Sequence, residues 1–217
     1  MDLLLCAATE LEIKPTLELI DRHAGLQSRV EVLVTGVGLT AAAYALTKRL
    51  CADRPRLVVQ AGIAGSLDDG LEPGDTVVVE RESIGDLGVF EGGSFRSLFG
   101  LGLVALNEPP WTEGKLCNDP LLLRTTGLPM VDGVSINEIT THPERILHYK
   151  TASGASVESM EGAALHYVCL MEKVPFLQIR TVSNFVGERD KSKWQLQQAL
   201  ANLNRHLELL LLKLCHL

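Results

Sequence analysis

The stretch Val157-Glu158-Ser159-Met160-Glu161-Gly162-Ala163-Ala164 decides the fold, together with the apolar run Val174-Pro175-Phe176-Leu177-Gln178-Ile179 that follows it. Ser159 is placed to cap a helix from Gly162 to Glu172, which leads away from the sheet directly after the acid Glu161. The later run has the β-branched and aromatic content of a strand that is covered on both faces. This order of elements predicts an α/β fold.

Polar side chains follow both predicted strands. Glu161 stands at the end of the first, and Ser183-Asn184 stand at the end of the second. Ligands of open α/β sheets bind beyond the carboxyl ends of the strands. An acid and an amide at one such edge therefore form a candidate site.

Length and composition indicate one domain over residues 1–217. The chain has 217 residues, of which 46% are hydrophobic, so it can bury a substantial core. Its net charge of -7 argues against nucleic acid or an anionic membrane as the main partner. We expect a small-molecule substrate.

The cysteines and histidines indicate neither disulfides nor a metal site. Five widely spaced cysteines fit reduced core thiols, and hence a cytoplasmic protein. His142 and His148 are isolated, so no metal or other cofactor is expected. The N-terminus lacks the features of a signal peptide, and the apolar stretch Leu209 to Leu212 is too short to span a bilayer.

The first strand and helix surround an acidic segment. Leu3 to Ala8 has the pattern of a buried strand, and a helix from Glu10 to Arg22 follows Thr9. The spacing of Thr9 and Glu12 is that of a capping box, which by itself explains Glu12 without any chemistry.

The pattern then alternates between strands and helices. Small residues from Ala61 to Ser66 predict a turn that exposes backbone amides, and Gly36 and Gly38 predict a tight turn. Residues 84–113 are irregular and rich in glycine and aromatic residues, which is typical of a functional connection. The further predicted elements are strands at Val30–Val34, Arg56–Gln60 and Asp75–Glu80, a strand that leads into a loop over Pro129–Asn137, and helices at Leu39–Ala52 and Ser192–Cys215.

The motif Met160-Glu161-Gly162-Ala163-Ala164, followed by Arg180-Thr181-Val182-Ser183-Asn184, resembles the nucleoside phosphorylase and nucleosidase superfamily. The extension Phe185-Val186-Gly187-Glu188-Arg189-Asp190 resembles its futalosine hydrolase branch. The resemblance covers essentially the whole chain. It implies a nucleoside phosphorylase-like, three-layer α/β/α fold with a mixed central sheet flanked by helices, and a homodimer in which residues 84–113 contact the partner.

The resemblance also implies roles for individual residues. Glu12 would activate the attacking water, Glu161 would bind the ribose hydroxyls, and Asn184 would bind the base. Phosphorylases of this superfamily have an arginine-bearing phosphate loop after the first strand, and this chain lacks one, so hydrolysis is preferred. The other residues expected to bind substrate are Met160, Ile63, Ala64, Gly65, Ile136, Asn137, Ser183 and Arg180.

Asn184 is the informative departure from the relatives that act on adenosine-type nucleosides, which have Asp there. An amide offers a donor and an acceptor at once, and its N–H can bond the 6-oxo oxygen of a hypoxanthine-like base. Futalosine also carries a carboxylated aromatic group, for which Arg189, Lys191, Arg96 and Phe90 are candidate contacts.

The resemblance favours hydrolysis of futalosine with release of hypoxanthine, and three other functions remain open. A methylthioadenosine or S-adenosylhomocysteine nucleosidase, or another purine nucleosidase, would release a different base. A phosphorylase would need a phosphate site. A nucleoside-binding module without catalysis is expected if Glu12 is only a helix cap.

Overall fold

The computed structural model describes residues 2–92 and 94–216. Strands and helices alternate along most of the chain, as the sequence predicts. The strands are β1 Leu3–Ala7, β2 Val30–Val34, β3 Leu57–Ser66, β4 Thr76–Ile84, β5 Gly88–Glu91, β6 Ser94–Ser97, β7 Leu116–Cys117, β8 Met130–Ser135, β9 Val157–Ser159 and β10 Phe176–Phe185. The helices are α1 Glu10–Arg22, α2 Ala24–Gln27, α3 Leu39–Ala52, α4 Pro120–Arg124, α5 Pro143–Thr151, α6 Gly162–Glu172 and α7 Leu196–Leu214.

The central sheet of the described residues is mixed and has eight strands, in the order β10-β4-β8-β9-β3-β1-β2 with β7 beside β4. β1 is parallel to β2 and β3, whereas β4 is antiparallel to β10. β10 also pairs with β3, so that β3, β9, β8, β4 and β10 close into a ring. The ends of several strands therefore converge on one region.

Helices cover both faces of this sheet, which confirms the predicted α/β fold with a mixed central sheet flanked by helices. Alternate residues of β1 point to opposite faces, as expected for a strand. Leu3 and Leu5 pack in the cluster that contains residues of α1 and α7, and Leu4 and Cys6 pack with residues of α3 and α6. Within the described residues, no helix is both long and apolar enough to cross a membrane.

Several elements differ from the sequence prediction. The segment Ala61–Ser66, predicted as a turn, continues β3, because β10 runs parallel to it as far as the pair Phe185 and Ser66. The last helix begins at Leu196 rather than Ser192, since a 3₁₀ turn over Lys191–Lys193 precedes it. Within residues 84–113, β5 and β6 form an antiparallel hairpin.

Candidate active site

A cavity of about 340 Å³ lies where the ends of β1, β3, β8, β9 and β10 meet. Glu12, Glu161 and Asn184, which lie far apart in the sequence, all line it. So do six further residues predicted to bind substrate. These are Ile63, Ala64, Gly65, Ile136, Met160 and Ser183.

Glu12 lies in the first turn of α1 and is buried against β3. One carboxylate oxygen, Oε2, accepts hydrogen bonds from the Thr9 amide and the Thr9 hydroxyl, both at 3.0 Å. The other, Oε1, accepts from the Ile63 amide at 3.2 Å. Glu12 therefore both caps α1 and lines the cavity, and all three of these donors are neutral.

Glu161 is the N-cap residue of α6 and is also buried. Its Oε1 accepts a hydrogen bond from the Gly38 amide at 3.0 Å, and its Oε2 lies 3.5 Å from Nη1 of Arg180. Gly38 precedes α3 as its N-cap residue with a φ of 93°, a backbone conformation that is strained for any residue with a side chain. The glycine pair predicted only as a turn thus presents the positive end of α3 to this carboxylate.

Arg180, predicted to bind substrate, lies behind the cavity wall rather than in it. Its guanidinium donates to Oε1 of Gln60 at 2.8 Å and to the Ile63 carbonyl at 3.4 Å, besides its contact with Glu161. A Cβ on Gly62 would collide with Nη1 of Arg180 and lie 2.9 Å from Oε1 of Glu12. Gly62 therefore allows both charged groups to approach β3 closely.

Asn184 lies near the end of β10, just after a register shift between Val182 and Asn184. Its Nδ2 donates to the Phe185 carbonyl at 2.9 Å, and its Oδ1 accepts from the Ser183 hydroxyl at 2.7 Å. A carbonyl can only accept, so this contact fixes the direction of the amide. One N–H of Nδ2 and one lone pair of Oδ1 remain for a ligand.

Asn137, like Arg180, is a predicted contact residue that does not line the cavity. It follows β8 on an exposed loop, where its amide and side chain bond both oxygens of Asp86, at 2.6 and 3.1 Å. Its neighbour Ile136 is buried and lines the cavity. The apolar wall formed by Ile63, Ile136 and Met160 suits the face of a planar base.

Glu158 was not predicted, although it stands in the stretch that decides the fold. It is buried in the cavity wall, and its Oε1 accepts from the Thr140 amide at 3.4 Å. Its Oε2 has no partner among the described residues, and burial raises the pKa of this carboxyl. A buried acid in a strand is invisible to periodicity alone. Other lining residues that were not predicted include Thr140, Val186, Trp194, Leu196 and Leu200.

A buried polar layer lies behind Glu161. The Ser135 hydroxyl donates to Oε1 of Glu82 at 3.1 Å and accepts from the Ala163 amide, in the first turn of α6, at 2.8 Å. Burial raises the pKa of Glu82 to about 7 and lowers the pKa of His166 to about 4. A Cβ on Gly162 would collide with Gln178 and lie 2.6 Å from Oε2 of Glu82. This explains the glycine of the Met-Glu-Gly-Ala-Ala motif.

The residues predicted to contact the carboxylated aromatic group of futalosine lie in different parts of the structure. Arg189 lines the cavity with its guanidinium carbon 5.9 Å from the ring centroid of Trp194. Arg96 lies 3.6 Å from Glu91, and Lys191 is exposed in the 3₁₀ turn. Phe90 lines a second cavity. The described part of the chain contains no group of His, Cys, Asp and Glu residues that could hold a metal ion.

Sequence and structure comparisons both relate this chain to enzymes that act on nucleosides. Residues 7–213 match the model of the phosphorylase superfamily. The futalosine hydrolase of Thermus thermophilus is 34% identical over 82% of this chain and 80% of its own. The 5′-methylthioadenosine/S-adenosylhomocysteine nucleosidase of Haemophilus ducreyi is 28% identical over 73% and 68%. A solved structure of a Helicobacter pylori MTAN mutant with 5′-methylthioadenosine in the active site is 19% identical and superposes with a TM-score of 0.82 over 98% of both chains.

Proposed function

The chain belongs to the phosphorylase superfamily, and from this we propose that it is a hydrolase that cleaves the N-glycosidic bond of futalosine and releases hypoxanthine. The observation that carries the proposal is that Glu12, Glu161 and Asn184 line one cavity. The higher identity to a futalosine hydrolase than to a nucleosidase for adenosine-type substrates supports the choice of substrate.

Each of the three residues serves one part of the reaction. Cleavage of a ribosyl bond passes through an oxocarbenium-like state, with positive charge on the sugar and negative charge on the departing base. Glu161 accepts hydrogen bonds from the ribose hydroxyls and stabilises the positive charge. The free N–H of Asn184 donates to the 6-oxo oxygen as the base gains charge. Glu12 takes a proton from the water that attacks the sugar.

The cavity supports hydrolysis over phosphorolysis. Among the described residues that line it, Arg189 is the one Lys or Arg, and its guanidinium lies over the ring of Trp194. Arg180 is occupied by Gln60, Ile63 and Glu161. A phosphate nucleophile needs several positive donors beside the sugar, whereas water does not.

Product analysis tests this proposal. The protein is incubated with futalosine, inosine and methylthioadenosine, with and without phosphate, and the released base and sugar are identified. We expect hypoxanthine and a free sugar from futalosine, at a rate that phosphate does not change. Release of adenine but never hypoxanthine would favour the nucleosidase alternative, and a sugar phosphate would indicate a phosphorylase.

The proposal includes a single-domain, cytoplasmic homodimer that acts in menaquinone biosynthesis. All five cysteines are free, which supports a reducing compartment. Residues 84–113 expose apolar side chains that a partner subunit could cover, among them Leu87, Leu103 and Leu106. Sedimentation velocity tests the dimer, and loss of menaquinone on deletion of the gene tests the pathway.

A further inference from the structure

A second cavity, of about 680 Å³, adjoins the candidate active site. The two cavities share Ile139 and Thr140 in their walls. The second one lies beside the first turn of α5 and is also lined by Phe90, Arg145 and Tyr149. The shared residues place the two cavities side by side.

Arg145 is held in place by aromatic neighbours. Its Nη2 donates to the hydroxyl of Tyr149 at 2.6 Å. The guanidinium carbon lies 5.0 Å from the ring centroid of Phe95 and 5.4 Å from that of Tyr149, whose side chain is only 1% exposed. Such contacts fix the plane of the guanidinium before a ligand arrives.

The charge of Arg145 is not neutralised by an ion pair within residues 2–92 and 94–216. A guanidinium has further N–H groups that can bind both oxygens of a carboxylate. Glu138 and Glu144 also line the cavity and would repel a multiply charged anion such as phosphate. A single carboxylate fits this balance of charges better.

The wall beside Arg145 is apolar. Phe90 is 54% exposed and Ile139 is 48% exposed, although both are large apolar side chains. An aromatic ring placed against them would remove this surface from water. The cavity thus combines a fixed cation with an apolar slot.

We propose that the second cavity is the subsite for the group that the nucleoside carries beyond its ribose, and that Arg145 binds an aromatic carboxylate there. This rests on the proposed function, since the ribose and base occupy the first cavity. Arg145 then determines which nucleosides are good substrates, without acting on the bond that breaks.

The test compares three substrates in the Arg145→Met variant: futalosine, its carboxylate methyl ester and inosine. We expect kcat/KM for futalosine to fall roughly 10- to 100-fold, mainly through KM, because a hydrogen-bonded charge pair is lost. The values for the ester and inosine should stay at the wild-type level. Arg145→Lys should give an intermediate loss with futalosine, since a point charge replaces the planar fork.

Lys150→Met is the matched control, since it removes one positive charge from the same helix, α5, at a residue that lines neither cavity. It should leave all three substrates unchanged. An equal loss on all three substrates in Arg145→Met would assign Arg145 a structural role and overturn the proposal. Unchanged use of futalosine would overturn it as well.

A binding experiment separates this proposal from the proposed function. If the wild-type protein cleaves none of the nucleosides, the proposed function fails, yet the subsite can still be tested with benzoate. In the wild-type protein, titration of benzoate should shift the NMR signals of the Arg145 side-chain N–H and of the backbone amides of α5. In Arg145→Met, the backbone amide shifts of α5 should no longer respond. The same response in both proteins would overturn the subsite.

Discussion

Two corners of the molecule place the same type of side chain in one cavity but surround it differently. At the β1–α1 corner, Glu12 accepts hydrogen bonds from neutral groups of Thr9 and Ile63. At the β9–α6 corner, Glu161 faces the buried guanidinium of Arg180 and the amide of Gly38. Taking up a proton would break an ion pair at Glu161 but not at Glu12. This difference supports the proposal that Glu12 transfers the proton and that Glu161 stabilises positive charge.

The largest effect is expected from Glu12→Gln, which tests the first corner. Glutamine can still accept the Thr9 hydrogen bonds that cap α1, but it places an NH₂ group against the Ile63 amide and cannot take a proton. We expect kcat to fall about 10³-fold, with a small decrease in the melting temperature. Steady-state kinetics and thermal denaturation measure the two quantities. Glu10→Gln, in the same helical turn, is the control and should retain activity. Near-normal turnover in Glu12→Gln would leave Glu12 only its capping role.

The second prediction concerns Glu161→Gln, which should damage both activity and stability. Loss of the carboxylate removes a charge that the transition state needs, so kcat/KM should fall about 10²-fold. It also leaves the buried Arg180 without its negatively charged partner, at a cost of about 3 kcal/mol in the free energy of unfolding. Urea unfolding checks this.

The double variant Glu161→Gln, Arg180→Met provides the control for the ion pair. It should recover part of the lost stability but none of the activity, because the buried charge is gone and the cavity still lacks its acid. If Glu161→Gln unfolds like the wild type, the two corners do not differ in the way we infer.

The third prediction concerns the buried layer behind Glu161, which contains the titratable side chains of Glu82 and His166. Burial raises the pKa of Glu82 from 4.5 to about 7, so folded Glu82 binds more protons than unfolded Glu82 between these values, and its contribution to stability falls as pH rises. Burial lowers the pKa of His166 from 6.5 to about 4, and this contribution to stability rises with pH. The two trends oppose each other between about pH 4.5 and 6.5.

Removing the Glu82 carboxyl should reveal the pH dependence of stability that His166 contributes. From pH 5 to pH 7, Glu82→Gln should gain about 2 kcal/mol of unfolding free energy relative to the wild type, because the falling contribution is absent. Urea denaturation at pH 5, 6 and 7 measures this difference. Parallel curves for the two proteins would show that Glu82 does not titrate in this range.

The smallest effect is expected from Asn184→Asp, which adds a further acid to the cavity. A carboxylate cannot donate to a 6-oxo oxygen, so kcat/KM for futalosine or inosine should fall about 10-fold. Asn107→Asp is the matched control, because Asn107 is exposed and uses its side-chain oxygen to accept from Glu113. Unchanged kinetics in Asn184→Asp would remove the argument for the 6-oxopurine base.

Local patterns predicted much of the framework. The bounds of α1 and α6 follow from helical spacing and from the residues at their starts, and β2 follows from its alternation. The predicted turn at Ala61–Ser66 was wrong because strand pairing with β10 overrides the turn preference of glycine. Such pairing joins residues more than a hundred positions apart, which a local pattern cannot register.

The residues of the candidate site could likewise be predicted only in part. Glu12, Glu161 and Asn184 could be identified because each belongs to a recognisable motif beside a predicted strand end. The Gly38 amide, the Glu158 carboxyl and the layer of Glu82 and His166 could not, since each depends on contacts between distant segments. Sequence reasoning thus finds the groups that face a ligand more readily than those that hold them in position.

The position of Trp194 in the cavity wall makes tryptophan fluorescence a measure of cavity occupancy. The chain has two tryptophans, and the indole N–H of Trp194 donates to the Glu188 carbonyl while its side chain lines the cavity. The other, Trp111, packs against Phe99 and Tyr167. Replacing Trp111 with phenylalanine would leave Trp194 as the one tryptophan of the chain, and excitation selective for tryptophan over tyrosine would follow filling and emptying of the cavity in real time with unlabelled compounds.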